Sequence, residues 1–351
     1  MKKFVTLFLI LYFIIPINIS GVSTSATSAI MMDMDSKRIL YGKDIHNVRS
    51  VASISKIMTA VIAVESGKLD DIVTVGDEIN KSYGSGIYIK KGEQISLRDL
   101  VYGLMLRSGN DASYAIATYV GGENFIDMMN TKAEEIGMND TVFNNPNGLD
   151  EEAANYSTVY DMALLTSYAM KLEEYKKIVN TKTHTLKTNM NTYFWTNKHK
   201  LLFQYDYTTG GKTGFTKKAK RTLVSTASKD NLNLVVVTLN DGNDFVDHVR
   251  LFEHGFDNYK SASILKKGEL SIYDEIYYGS YYLHLLKDYS YAIMEDEELL
   301  IKFELEEDPK EGETGVVKVL IDNKEVYRDI IYAKKLKVHR KSLMDWFKSL
   351  W

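Results

Sequence analysis

The amino-acid sequence predicts an α/β (α+β) fold with a small all-β domain behind it. Three observations carry this. Helix-period apolar patterns recur between residues 53 and 170. Strand-like runs frame them at 29–41 and 221–239. Beyond residue 257, short β-branched and aromatic segments alternate with Gly, Asp and Asn turns. At 351 residues the chain holds about two domains.

Residues 29–34 and 38–41 read as two short strands joined by a turn. Residues 53–65 read as a helix that is apolar nearly all round (Ile57, Met58, Val61, Ile62, Val64), so it belongs inside a domain. Helical patterns follow at 97–106, 112–120, 125–136 and 159–170. Residues 221–227 and 232–239 read as adjacent strands with a turn at Lys229-Asp-Asn, and 245–256 returns to helix. Helices interleaved with few strands predict a sheet covered on both faces. The segments 272–278, 299–305, 316–321 and 326–331 predict the all-β domain.

Composition narrows the function. With 26% charged and 45% apolar residues the chain is globular, and a net charge of −4 offers no basic field for nucleic acid. There is no cysteine, which rules out thiol chemistry and cysteine metal sites. The seven histidines are scattered without a His-x-x-x-His pair, so no metal site and no cofactor is expected. Met1-Lys2-Lys3, an apolar run to Ile15, Pro16 and small residues near Ala26 describe a secretory leader. The expected division is therefore a signal peptide at 1–26, a catalytic domain at 27–257, a β-rich domain at 258–338 and an amphipathic tail at 339–351.

The candidate chemistry begins in Ser50-Val-Ala-Ser-Ile-Ser-Lys-Ile-Met-Thr-Ala60. On a helix, Ser53 and Lys56 share a face. A serine hydroxyl needs a neighbouring base, and burial in an apolar helix would leave Lys56 partly neutral. Ser-x-x-Lys alone is weak, since about one or two are expected by chance, and Ser263-Ile-Leu-Lys266 is a second copy. The first copy has company: Ser108-Gly-Asn110 ends a helical run, and Lys212-Thr-Gly214 precedes the paired strands.

These three motifs, in this order, are the set of penicillin-binding proteins and class A β-lactamases, with Gly109 where that set has Asp. Leu104-Met-Leu-Arg-Ser-Gly-Asn-Asp-Ala-Ser, Ser53-Ile-Ser-Lys-Ile-Met-Thr-Ala, Lys212-Thr-Gly-Phe-Thr, Asn145-Pro-Asn-Gly-Leu149 and Tyr156-Ser-Thr-Val-Tyr-Asp-Met-Ala163 closely resemble the serine D-alanyl-D-alanine carboxypeptidases of the low-molecular-weight class. The resemblance covers residues 29–257. It implies a penicillin-binding, transpeptidase-like domain with a central antiparallel sheet flanked by helices, and a C-terminal domain like the family's.

It further implies that Ser53 forms an acyl-enzyme with Lys56 as base, and that Ser108 relays a proton to the leaving amine. Asn110 would hold the substrate amide. Lys212 and Thr213 would hold the terminal carboxylate, and Gly214 would leave room along the strand edge. The oxyanion hole would be the backbone N–H groups of Ser53 and Phe215; the Phe215 side chain departs from the histidine often found there. The implied partners are peptidoglycan stem peptides ending in D-Ala-D-Ala, with β-lactams as covalent inhibitors, at the outer face of the membrane or in the wall. Residues 219–224 and the Lys, Ile, Asn and Tyr usage resemble sporulation-associated members.

A β-lactamase would need a Glu-x-x-Leu-Asn loop. Glu135-Ile-Gly-Met-Asn139 and Glu151-Glu-Ala-Ala-Asn155 both lack the leucine. A non-catalytic penicillin sensor would carry further membrane spans and a signalling domain, which the sequence does not show. Asn145-Pro-Asn-Gly reads as a turn only, and Lys217-Lys-Ala-Lys-Arg221 as a solvated face or an attractor of anionic wall polymer. In the tail, Leu343, Phe347, Leu350 and Trp351 share a helical face, which predicts a contact with the membrane surface, with packing onto the β-rich domain as the alternative.

Overall fold

The computed structural model describes residues 21–150, 153–270, 280–307 and 310–336. Five strands form the central sheet: β1 (Ser28–Asp33), β2 (Ile39–Lys43), β3 (Thr208–Thr216), β4 (Lys220–Lys229) and β5 (Leu232–Leu239). Their order is β2-β1-β5-β4-β3 and every pairing is antiparallel. The β4–β5 hairpin is tight because Asp230 and Asn231 take left-handed φ values of 50° and 64°, the conformation a two-residue turn of this hand requires.

The sheet is covered on both faces, as the pattern predicts. Strand alternation sends Ile30, Met32, Val224, Val235 and Val237 to one core and Met31, Leu234 and Val236 to the other. The larger core holds α1 (Lys56–Glu65), α2 (Leu97–Arg107), α3 (Asn110–Val120), α4 (Phe125–Ile136), α5 (Val159–Ala169) and α6 (Glu173–Asn180). On the opposite face α7 (Asp244–Asn258) contributes Leu251 and Phe252. A 3-10 turn, Ala52–Ser55, precedes α1, so Ser53 stands just outside the α-helix predicted to contain it. The helix α6 and a hairpin of Thr183–Lys187 with Thr192–Thr196 escaped sequence reading.

Beyond α7, β6 (Lys260–Leu265) pairs with β9 (Tyr289–Ile293). A five-stranded sheet is built from β7 (Gly268–Leu270), β8 (Tyr281–Leu285), β10 (Leu299–Leu305), β11 (Gly312–Ile321) and β12 (Lys324–Lys335). Its core of Leu265, Leu283, Leu285, Val317, Val319, Ile331 and Ala333 is separate from the first two. Arg38 ties this region to the central sheet: it donates to the Glu297 carboxylate and to the Ala292 carbonyl at 2.7 Å, and lies over the rings of Tyr259 and Tyr291 at 5.2 and 5.1 Å. The predicted segment 272–278 and the tail at 339–351 lie outside the described residues.

The leader expected to end near Ala26 meets a packing fact. Ala26 is buried, and the Ser25 backbone N–H and hydroxyl donate to Asp247 at 2.6 and 2.9 Å, the hydroxyl also to Asp241 at 2.5 Å. A cut after Ala26 would remove those contacts with the leader.

Candidate active site

The site lies where the free edge of β3 faces the start of α1 and the junction of α2 and α3. Ala52 begins the 3-10 turn with a left-handed φ of 50°, an unfavourable conformation for a residue with a Cβ that persists only where its surroundings enforce it. The Thr222 hydroxyl on β4 donates to the Val51 carbonyl at 3.0 Å and pins the turn against the sheet. Ser53 is half-buried at the cleft, and one turn further Lys56 is fully buried.

The Lys56 amine sits 3.0 Å from Ser53 Oγ, 2.7 Å from Asn110 Oδ1 and 2.5 Å from the Asn147 carbonyl oxygen. Burial, with the nearby charges of Lys212 and Lys198, holds its pKa well below the ordinary lysine value. A neutral amine has two N–H donors and one lone pair. Two of its three neighbours are carbonyl oxygens that can only accept, so they take both donors. The lone pair is left for the Ser53 hydroxyl proton, which is the geometry of a serine and its base.

Asn147 is the residue that sequence reading missed. Asn145-Pro-Asn-Gly is a turn, as predicted, but it also delivers a main-chain oxygen to Lys56. Asn145 Oδ1 accepts from the backbone N–H groups of Asn147 and Gly148 at 3.1 and 2.6 Å, and Asn155 clamps Asn144 and Asn145. Thr59 of α1 donates to the Pro146 carbonyl at 2.7 Å. Gly148 stands at φ +80°, where a Cβ would meet the Ala52 carbonyl oxygen at 2.0 Å. The Asn-rich composition around 144–155 was the available signal for a hydrogen-bonded loop.

Ser108 caps α2 in a left-handed conformation, φ 63°. This turns the chain sharply, so that Ser108 and Asn110 both reach the site from adjoining helix ends. Asn110 Nδ2 donates to the Tyr83 carbonyl at 2.5 Å, which fixes its amide with Oδ1 toward Lys56. The buried Asp111 carboxylate accepts from the backbone N–H groups of Ile87, Tyr88 and Ile89 and holds the neighbouring loop.

Lys212 is not the solvated strand-end charge its position allows. It is buried within β3, and its amine donates to Ser108 Oγ at 3.0 Å and to the Thr213 carbonyl at 2.6 Å. Burial and the Lys198 charge push its pKa down to about 7. The open cleft, about 350 Å³, is lined by Ser53, Ser85, Ser108, Lys198, Lys200, Thr213, Gly214, Phe215, Arg221, Asp244 and Phe245. Lys56, Asn110 and Lys212 lie behind that wall. A Cβ on Gly214 would sit 3.0 Å from the Ser53 nitrogen and 2.4 Å from Thr222 Oγ1, so β3 passes close to the serine only because the residue is glycine. Phe215 is exposed beside it. Of the basic cluster, Arg221 reaches the cleft and pairs with Asp244 at 2.7 Å, while Lys218 donates to Tyr156.

The competing residues sit elsewhere. Ser263 and Lys266 are exposed at the end of a strand, without a shared helical face. Glu135 is on α4, paired with Lys132 at 2.6 Å in a different groove. Glu151 lies outside the described residues. Among the described residues no group of His, Asp and Glu is arranged to hold a metal ion.

A serine held against a buried lysine at the edge of an antiparallel sheet with helices on both faces defines a serine hydrolase of the penicillin-binding class. The sequence model described as D-alanyl-D-alanine carboxypeptidase matches residues 17–243, well over half of the chain, and the chain belongs to that family. It is 32% identical over 263 residues to the D-alanyl-D-alanine carboxypeptidase DacF of Bacillus subtilis, covering 71% of this chain and 67% of that protein. The structure of penicillin binding protein 5 from Haemophilus influenzae matches with a TM-score of 0.77 at 26% identity, covering 89% of this chain and 97% of that one. A variant of the Streptomyces K15 DD-transpeptidase matches with a TM-score of 0.64 at 31% identity, covering 67% and 99%.

Two outcomes are expected from this geometry. Gly148→Ala adds a left-handed penalty of about 1–2 kcal/mol and forces the turn off Ala52, withdrawing the Asn147 carbonyl from Lys56. Its acylation rate by benzylpenicillin should fall by about tenfold or more, measured by stopped-flow mixing; an unchanged rate would show that the carbonyl is dispensable.

Lys212→Met should be more heat-stable than wild type near neutral pH. The folded value of about 7 lies below the ordinary 10.5, so between those values the unfolded chain binds a proton that the folded chain does not. Wild-type stability therefore falls as the pH drops from about 10 to about 7 and then levels off. The melting-temperature gain of Lys212→Met should be about 2–4 °C at pH 7 and shrink toward pH 10; a gain independent of pH contradicts the assignment.

Proposed function

We infer that the chain is a serine-type D-alanyl-D-alanine carboxypeptidase that removes the terminal D-alanine from peptidoglycan stem peptides and is acylated by penicillins. The observation that carries the residue assignment is the 3.0 Å contact between Ser53 Oγ and a Lys56 amine whose two donors are taken by carbonyl oxygens. In this reading Ser53 Oγ attacks the penultimate D-alanine carbonyl carbon while Lys56 takes the hydroxyl proton. The developing oxyanion is received by the backbone N–H groups of Ser53 and Phe215, and Asn110 steadies the substrate amide. The C–N bond then breaks, and the proton passes to the departing amine by way of Ser108, whose hydroxyl is held by Lys212. Water afterwards attacks the acyl ester, giving up one proton through Lys56 as Ser53 Oγ regains one.

The substrate carboxylate is assigned to Thr213 and the exposed cation Lys198. The buried Lys212 supports the proton path and adds charge behind Thr213 when protonated. Gly214 keeps the strand edge open for the peptide. Removing terminal D-alanine limits cross-linking. The enzyme acts outside the cytoplasmic membrane, where its substrate is. The tail at 339–351 is assigned to the membrane surface by its apolar face; deleting it should lower the membrane-bound fraction, and an unaltered fraction removes that assignment.

Ser53→Ala should abolish covalent labelling by a fluorescent penicillin, while labelling that persists, or maps to Ser263, refutes the choice of nucleophile. The fate of the adduct separates this enzyme from a β-lactamase. Among the described residues the one carboxylate lining the cleft is Asp244, and it is paired with Arg221. The cleft thus offers, among the described residues, no free carboxylate to activate water on the tethered penicilloyl group. After label and chase, intact mass should show the Ser53 adduct persisting for minutes or longer, with steady D-alanine release from a D-Ala-D-Ala peptide. Loss of the adduct within seconds would falsify the carboxypeptidase reading.

A further inference from the structure

Three lysines converge on the cleft from three separate elements. Lys56 comes from α1 and Lys212 from β3, and both are fully buried. Lys198 comes from the strap that follows the Thr192–Thr196 strand, and its side chain is exposed. We propose that Lys198 is a charge-setting residue for this reaction: it carries the positive charge of the trio at the cleft wall, so that the two buried lysines behind it can remain neutral for proton transfer.

The placement of Lys198 is fixed by the backbone. Its N–H donates to the Leu106 carbonyl at the end of α2, 3.0 Å away, and Asn197 bridges to Val179 and Thr181. Its amine lies 3.4 Å from Ser85 Oγ on the cleft wall, and among the described residues it has no ion-pair partner. The other cleft cations are committed otherwise. Arg221 is neutralised by Asp244, and Lys200 lies over the Phe245 ring at 5.8 Å. Like charges confined together disfavour one another's protonation, and the penalty falls hardest on the groups that have lost their water. Lys56 and Lys212 both feel Lys198, and Lys56 also feels Lys212, while the weaker influence of Asp111 on Lys56 acts in the opposite sense. Partial burial and the like charge of Arg107 lower the Lys198 pKa as well. Its side chain nevertheless stays exposed where Lys56 and Lys212 have lost their water, so it is the one of the three that best keeps its proton. It also has a free position for a substrate carboxylate beside Ser85.

This division of labour has a chemical consequence. A single exposed charge serves two tasks: it receives the carboxylate, and its field prepares the base before substrate arrives. No motif marks the residue, because its effect on Lys56 is through space from 142 positions along the chain.

The inference rests on the carboxypeptidase reading, and the test separates the two. The acylation rate of full-length protein by benzylpenicillin is followed from pH 5 to pH 10 for wild type, Lys198→Gln, Lys198→Arg and Lys200→Gln, with thermal melts confirming that each is folded. Removing the Lys198 charge lets Lys56 hold its proton to higher pH. The acid limb of Lys198→Gln should therefore move up by about one pH unit, a loss of about tenfold at a fixed pH on that limb. Lys198→Arg should restore the wild-type midpoint, and Lys200→Gln should leave it nearly unmoved. An acid limb that superimposes on wild type overturns the inference while the carboxypeptidase reading stands. So does a weakened affinity for penicillin with an unmoved midpoint, since that confines Lys198 to carboxylate binding. Failure of wild type to form any penicilloyl adduct overturns the reading beneath it instead.

Discussion

The structure depends on burying one amine. Lys56 is enclosed by the apolar side chains of α1 and its neighbours, yet its nitrogen meets three oxygens, from Ser53, Asn110 and Asn147. An ammonium there would lack water, and two carbonyl dipoles without a carboxylate compensate it poorly. The neutral amine fits the same oxygens with its donors satisfied and a lone pair to spare. The fold thus favours the protonation state that the proposed chemistry needs.

Holding three oxygens around one nitrogen requires three segments far apart in sequence, and left-handed turns stand where they meet. Ala52 and Ser108 take left-handed backbone conformations and Gly148 supplies a third. Each redirects the chain at the point where a functional group must face inward. The asparagine network of 144–155 and the Asp111 carboxylate satisfy the loop backbones that such turns leave unpaired. Polar side chains near this site mostly serve other polar groups rather than substrate.

The central sheet supplies rigidity and an edge. β5 is buried on both faces, β4 lies beside it, and β3 at the rim keeps one side open. Gly214 lets that open edge come within contact of Ser53. The β-rich region joins this body through Arg38, whose charge is met by Glu297 and whose flat guanidinium is enclosed by two tyrosine rings. A planar, always-charged group suits that dual contact in a way that an ammonium would not.

The sequence by itself determined what depends on short spacing. The period of apolar residues located α1 to α5 and the β4–β5 hairpin, and Ser53, Lys56, Ser108, Asn110, Lys212, Thr213 and Gly214 were named from their motifs. The apolar character of 57–64 already implied a buried, weakly basic Lys56. Tertiary structure alone decided the rest. Asn147 contributes a main-chain oxygen, which any residue possesses and no side-chain pattern reveals. The role proposed for Lys198 is a field acting across two other elements. The burial of Lys212 within β3, with its amine on Ser108 behind Thr213, shows only once the strand edge is packed against the helices. Local propensity and motif spacing report on neighbours a few residues apart. Burial and electrostatic potential are sums over atoms that only the folded chain brings together.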